Sequence, residues 1–151
     1  LDKGAGTGRM LAGVKQFSPR RIHTTALALG NALAPAHKSS INQVVGGFGL
    51  RVKHKRKFDI IYDCYGEDYH LPKRYVKHSI EVSLSNLKPG GELFTVLPLT
   101  HRSSRVNFTV EEGKRLVKEL RVQGLKVTTK ETPKRFNKIE YVDLVIHITK
   151  P

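Results

Sequence analysis

The chain has 151 residues, with 27 Lys and Arg against 13 Asp and Glu, for a formal net charge of +14. That length suits one domain, spanning 1–151, with a real core, and no stretch approaches the roughly 18 apolar residues of a membrane span. One cysteine, Cys64, excludes an intrachain disulfide, and without CxxC or HxxxH pairs a structural zinc site is not expected. So much positive charge favours an anionic partner, nucleic acid or a phosphorylated substrate; the plainer alternative is a surface rich in solvated lysines. No signal-peptide pattern opens the chain, and a start at Leu1 suggests a domain of a longer protein, intracellular and cytoplasmic, with a nuclear site as the alternative.

Taken in chain order, the elements alternate between helix and strand. "GRMLAGVKQFS" spaces Met10, Leu11, Val14 and Phe17 as a helix does. "RRIHTTALAL" reads as a strand at its start, and "GNALAPAHKSS" as a loop or short helix broken by Pro35. "INQVVGGF" is a short strand ended by Gly46 and Gly47, and "FDIIYDCYG" a strand buried on both faces. "PKRYVKHSIEVSLSNL" has a 3.6-type pattern, which "KPGG" stops and turns. "ELFTVLPL" is another buried strand, and "TVEEGKRLVKELRVQG" an amphipathic helix with Thr109 and Glu112 as a capping box. "LKVTTKET" and "IEYVDLVIHIT" are final strands joined by a "PKRFNK" turn. This order predicts an α/β, Rossmann-like three-layer sandwich, its sheet mostly parallel with an antiparallel last strand.

The chain opens "LDKGAGTGRMLAGV", with Gly4, Gly6 and Gly8 at alternate positions behind Asp2. Glycines between a strand and a helix let a ligand approach the backbone and the free N–H groups of the helix start. A dinucleotide fingerprint of the form G-x-G-x-x-G would need its third glycine at Arg9, so a nicotinamide cofactor is disfavoured.

The pattern "DKGAGTG" resembles the first motif of the class I S-adenosylmethionine-dependent methyltransferases. "KFDIIYDCYG" looks like that family's fourth strand, "LSNLKPGGELFTVLP" like its turn and fifth strand, and "GLKVTTKE…YVDLVIHITKP" like its terminal strand pair. The resemblance covers nearly the whole chain. It implies a seven-stranded sheet with S-adenosyl-L-methionine lying across the carboxyl ends of the strands. The turn of Gly4, Ala5, Gly6 and Gly8 would underlie the methionine part, with Asp2 engaging its amino group. Ala26 and Gly47 would fall where the family contacts ribose and adenine, and Asp63 and Cys64 where it places cofactor-facing residues.

Three departures accompany the resemblance. No acid occurs between Asp2 and Asp59, so the ribose carboxylate expected at the end of the second strand is missing, and Ala26 stands near its place. Gly47 stands where an acid near adenine is common, and Lys3 where the family prefers an apolar residue. The strand leading into the glycine turn is almost absent, so an upstream segment, another chain or a rearranged sheet is expected to fill the middle. These departures support a second reading, an inactive methyltransferase-like module that binds nucleic acid or a protein.

The segment "DCYGEDYHLPKR" is richest in reactive side chains. Tyr65, Glu67 and His70 are the candidates for orienting an acceptor or removing its proton. The alternative for Glu67, Asp68 and His70 is a solvated loop with helix-start acids. Lys73, Arg74, Arg102, Arg105 and Arg135, with Lys134 and Lys138, follow strand ends and could hold the phosphates of an anionic substrate such as RNA. Tyr65, Tyr69 and Phe136 could stack a base. The run "RVKHKRK" precedes the fourth strand and so falls at the amino edge, away from this site.

Overall fold

The structure, a computed structural model, describes residues 1–5, 8–18, 22–28, 34–39, 41–46, 57–100, 104–105, 107–136 and 139–151. Its strands are β1 (Asp2–Lys3), β2 (Thr25–Ala28), β3 (Gln43–Gly46), β4 (Phe58–Asp63), β5 (Leu87–Leu99), β6 (Lys126–Phe136) and β7 (Ile139–Thr149). Its helices are α1 (Arg9–Phe17), α2 (Pro35–Lys38), α3 (Glu67–His70), α4 (Lys73–Asn86) and α5 (Val110–Val122). The strands form one sheet in the order β3-β2-β1-β4-β5-β7-β6, and β7 runs antiparallel to both its neighbours.

The central position is not vacant and the sheet is not rearranged. β1 fills it with two residues: Asp2 pairs with Ala26 and Tyr62, and Lys3 with Leu27. The Leu1 carbonyl accepts from the Tyr62 N–H at 2.8 Å, which fixes the register on the β4 side. Two residues carry no periodicity, so this strand could be placed only by its pairing.

Both faces of the sheet bear helices. Leu11 of α1 packs with Ala5, Ala26 and Ile41 on one face. On the other, Val76, Ile80 and Leu84 of α4 and Leu116, Val117 and Leu120 of α5 pack over Ile61, Leu93, Leu97, Ile146 and Ile148. β4 is therefore not buried on both faces: Ile61 is closed off beneath α4, but Ile60, pointing the other way, is 50 % exposed.

Three further boundaries differ from the sequence reading. The second strand lies in the later half of its segment, at Thr25–Ala28, and Pro35 starts α2 rather than breaking it, since a missing N–H costs nothing in a first helical turn. β6 runs through Pro133 to Phe136, taking in most of the predicted turn; an edge strand tolerates proline because one side of its ladder is unpaired. "KPGG" follows the end of α4 as expected but lies inside β5 rather than ahead of it, where it breaks the pairing with β4: Leu87 faces Phe58, and the next pair is Ile60 with Glu92. The capping box is formed, with Thr109 Oγ1 accepting from the Glu112 N–H at 3.2 Å and Glu112 Oε2 from the Thr109 N–H at 2.9 Å.

Candidate functional site

The two residues of β1 send their side chains to opposite faces, as alternation requires. Asp2 lies on the α1 side, 6 % exposed, and among the described residues no donor reaches its carboxylate. Burial pushes its pKa up to about 6. The chain then turns. The N–H groups of Gly4 and Ala5 both donate to the Leu27 carbonyl, at 2.9 and 3.0 Å. Gly4 and Gly8 hold φ of 71° and 79°, in the left-handed region that suits glycine. Gly8 is also the N-cap of α1, whose start has no side-chain cap and no acid in its first turn. A buried, unpartnered carboxylate thus stands beside a helix start with uncapped N–H groups.

Lys3 points the other way and is 2 % exposed. Its ammonium lies 3.1 Å from Asp63 Oδ2 and 3.2 Å from Asp68 Oδ1, and donates to the Ser79 and Ser83 hydroxyls at 2.7 and 3.0 Å. Asp68 also accepts from Ser79 and, at 3.0 Å, from Thr95. Five elements thus meet in one polar cluster directly beneath the carboxyl ends of β1 and β4. One ammonium faces two carboxyl groups, and burial, reinforced by the charge of Asp68, pushes Asp63 up to about 8 against the pull of Lys3. With Asp63 protonated, the cluster holds one ammonium and one carboxylate.

This clamp shapes the segment after β4. Tyr65 takes φ of 56°, rare for a residue with a side chain. Its hydroxyl donates to Asp143 Oδ2 at 2.7 Å, and that of Tyr69 to Asp143 Oδ1 at 3.3 Å; the two rings lie 5.2 Å apart. Asp143, 1 % exposed on β7, therefore holds two phenols together. Its hydrogen bond raises the Tyr65 pKa to about 12, and burial followed by the charge of Asp143 carries Tyr69 well above the usual phenol range. Asp143→Asn should return Tyr65 toward its ordinary value of about 10. A spectrophotometric titration of the phenolate checks this, and an unchanged curve would mean that the bond does not set the ionisation.

Gly66 allows no side chain. A Cβ there would lie 2.1 Å from the Lys3 carbonyl oxygen and 2.3 Å from Asp63 Oδ1, both held in place. Gly66→Ala should cost roughly 1–3 kcal/mol of stability in urea denaturation, and wild-type stability would mean that this loop is only loosely attached to β1.

Beyond the phenol pair a cleft of about 400 Å³ opens at the carboxyl end of β5. Leu99, Val110 and Val142 give it apolar walls, and Lys134, Arg135 and Tyr141 line it as well. Neighbouring strands lie about 4.8 Å apart, which places this end of β5 about 10 Å across the sheet from β1.

The predicted site residues do not all gather here. Asp2, Gly4, Ala5 and Gly8 form the turn. Ala26 is fully buried in the core beside Ala5 and Leu11, so its side chain can touch no ligand, and the carboxyl end of β2 lies two residues on, at Ala28. Asp63, also fully buried, faces the Lys3 cluster. Cys64 is half-buried, and burial pushes its thiol up against a hydrogen bond with Tyr62. His70 is exposed, edge-on to Tyr69 at 5.4 Å. Lys73 is engaged by Glu112 at 2.6 Å, and Arg74 lies 4.7 Å over the Tyr75 ring. Arg105 is exposed and its carbonyl accepts from the Lys73 N–H. Gly6, Gly47, Arg102, Lys138, Arg51–Arg56 and the Glu67 and Phe136 side chains lie outside the described residues.

Two contributors escaped the sequence reading. Asp143 interrupts the apolar run "YVDLVIHI", which is the signal that could have marked it. Lys3 stood out only as a departure, because its partners lie 60 to 80 residues away.

Neither a protein-family model nor a curated relative matches the sequence. Solved structures do match the fold. The plantazolicin methyltransferase BamL, in complex with a triazolic desmethylPZN analogue and S-adenosylhomocysteine (SAH), aligns with a TM-score of 0.73 at 14 % identity, over 99 % of this chain and 75 % of that one. The [4+2]-cyclase SpnF gives 0.74 at 13 % identity, over 99 % and 74 %. The Burkholderia thailandensis 1,6-didemethyltoxoflavin-N1-methyltransferase, with bound 1,6-didemethyltoxoflavin and SAH, gives 0.68 at 18 % identity, over 99 % and 69 %. The chain therefore has the class I methyltransferase-like fold, an α/β Rossmann-like sandwich whose last strand is antiparallel.

Proposed function

We propose that this protein binds S-adenosyl-L-methionine over the turn Asp2–Gly8 and directs its methyl group to an anionic acceptor. The observation that carries the reading is Asp2: a carboxylate 6 % exposed, with no described donor, beside the glycine turn. Such a group lacks a described hydrogen-bond donor, and the amino group of the cofactor's methionine part is a cationic one. The residues present fit the cofactor at this end. When bound, S-adenosylmethionine supplies an electrophilic methyl on sulfonium. Asp2 then holds the ammonium, and the uncapped first turn of α1 offers N–H groups.

At the far end, Tyr65 and Tyr69 form a wall fixed by Asp143, and Lys134 and Arg135 offer positive charge for a phosphate or carboxylate of the acceptor. Their part is to orient the attacking atom in line with the methyl. His70, exposed at the rim, is the candidate base. RNA is the finer form of this acceptor reading.

One observation favours a second reading. No Asp or Glu lies between Asp2 and Asp59, so neither Ala28 nor the residues after it offer the ribose hydroxyls a carboxylate. Losing charge-assisted hydrogen bonds costs about 1.5–3 kcal/mol, and a module that keeps the fold without catalysis would tolerate that loss. Neighbours with the names SpnF cyclase and "pericyclic reaction enzyme" carry other activities on this fold.

Calorimetric titration with S-adenosylmethionine and SAH separates the readings. Micromolar binding that Gly4→Asp abolishes supports the methyltransferase. No heat at millimolar ligand, with the protein folded by circular dichroism, overturns it in favour of the inactive module.

A further inference from the structure

The charge of this chain is unevenly placed. From Lys3 to Phe58 there are eleven Lys and Arg and no Asp or Glu, while the remaining residues carry a net +3. Of these, Arg9 and Lys15 on α1 and Lys38 on α2 belong to the flank that carries β2 and β3. On the other flank three of the basic residues pair with acids: Lys73 with Glu112, Lys77 with Glu119 and Lys88 with Asp59. Among the described residues, neither Arg9 nor Lys15 of α1 takes part in an ion pair or hydrogen bond through its side chain.

Both line a groove of about 660 Å³ between α1 and α2, together with Gln16, Phe17, His37 and Ser39. Phe17 is 81 % exposed in that groove. An exposed aromatic ring between unmatched cations does two things at once. The cations attract phosphates, and the ring offers a face on which a base stacks. An acidic protein helix would need a longer apolar stripe, but α1 exposes only Val14 and Phe17 among its large apolar residues. α1 is about 13 Å long, room for a few nucleotides of a single strand.

We infer that the α1–α2 groove is a docking surface for single-stranded nucleic acid, with Arg9 and Lys15 on phosphates and Phe17 stacked on a base. The inference does not rest on the methyl-transfer reading, since the groove lies outside the crevice above β1 and β4.

Fluorescence anisotropy of labelled uridine and thymidine dodecamers with the full chain tests it. Phe17→Ala should weaken binding about tenfold while leaving the salt slope unchanged. Arg9→Gln with Lys15→Gln should reduce the log–log salt slope by about 1.4, or about 0.7 per phosphate contact. Phe17 is too exposed for its loss to affect folding, and an unchanged thermal melt confirms that control. Binding should persist in saturating SAH. The inference is overturned if Phe17→Ala binds as wild type, if the double variant keeps its slope, if SAH displaces the strand, or if a poly-glutamate peptide competes as well as the dodecamers.

Discussion

Replacing Lys3 with methionine is expected to destabilise the protein by about 3–5 kcal/mol. Its ammonium is, among the described residues, the one cation on two buried carboxyl groups, 3.1 Å from Asp63 and 3.2 Å from Asp68. Methionine keeps the shape but leaves the cluster's carboxylate without a counter-charge, and Asp63 without its donor, in a site closed to water. Urea denaturation should show a lower midpoint at unchanged slope. Lys3→Met combined with Asp63→Asn and Asp68→Asn removes the ammonium and both acids and should recover most of the loss. A single variant as stable as wild type would mean that the ammonium is not held as described.

The same cluster sets a pH dependence. Burial holds Asp63 up to about 8 in the folded protein, whereas an unfolded Asp loses its proton near 4. Between those values the folded state binds more protons than the unfolded one. The contribution of Asp63 to stability is then full below about pH 4 and is lost as pH rises through about 8. Asp63→Asn should flatten that decline.

Asp2→Asn is the second large effect, and it should act on binding and stability in opposite senses. Loss of a charge-assisted bond to the cofactor's ammonium should weaken S-adenosylmethionine and SAH binding about 10–100-fold. The same change removes a carboxylate whose pKa burial has raised to about 6, so the variant should melt at higher temperature at neutral pH, a trade of stability for function. Binding by the wild type should strengthen as pH rises through about 6, because the cofactor's ammonium needs Asp2 ionised, and the Asp2→Asn variant should lack that dependence. If Asp2→Asn binds SAH as wild type does at every pH, Asp2 is not the ammonium partner.

Much of the architecture was legible because it rests on local patterns. The spacing of Val76, Ile80 and Leu84, the Thr109–Glu112 box and the alternation in "IEYVDLVIHIT" each follow from one segment alone. β1 was not legible, because a two-residue strand is defined by Ala26 and Tyr62 on either side and by nothing within itself. The cluster around Lys3 was hidden for the same reason: Asp63, Asp68, Ser79, Ser83 and Thr95 come together only once β4, α3, α4 and β5 are packed. Lys73 shows the reverse error. Its position after a strand end suggested a phosphate ligand, but the first turn of α5 brings Glu112 to it. Lys134 and Arg135 were assigned to a turn, whereas β6 carries both to the edge of a cleft.

The central claim is that the turn from Asp2 to Gly8 holds the amino-acid end of S-adenosylmethionine. A crystal structure of the protein grown with SAH tests it most directly. The ligand should lie above β1 and β4, with its amino group within hydrogen-bond distance of the Asp2 carboxylate and its carboxylate facing the first turn of α1. A crevice left empty at saturating SAH, or a ligand bound with its amino group turned away from Asp2, would contradict the claim.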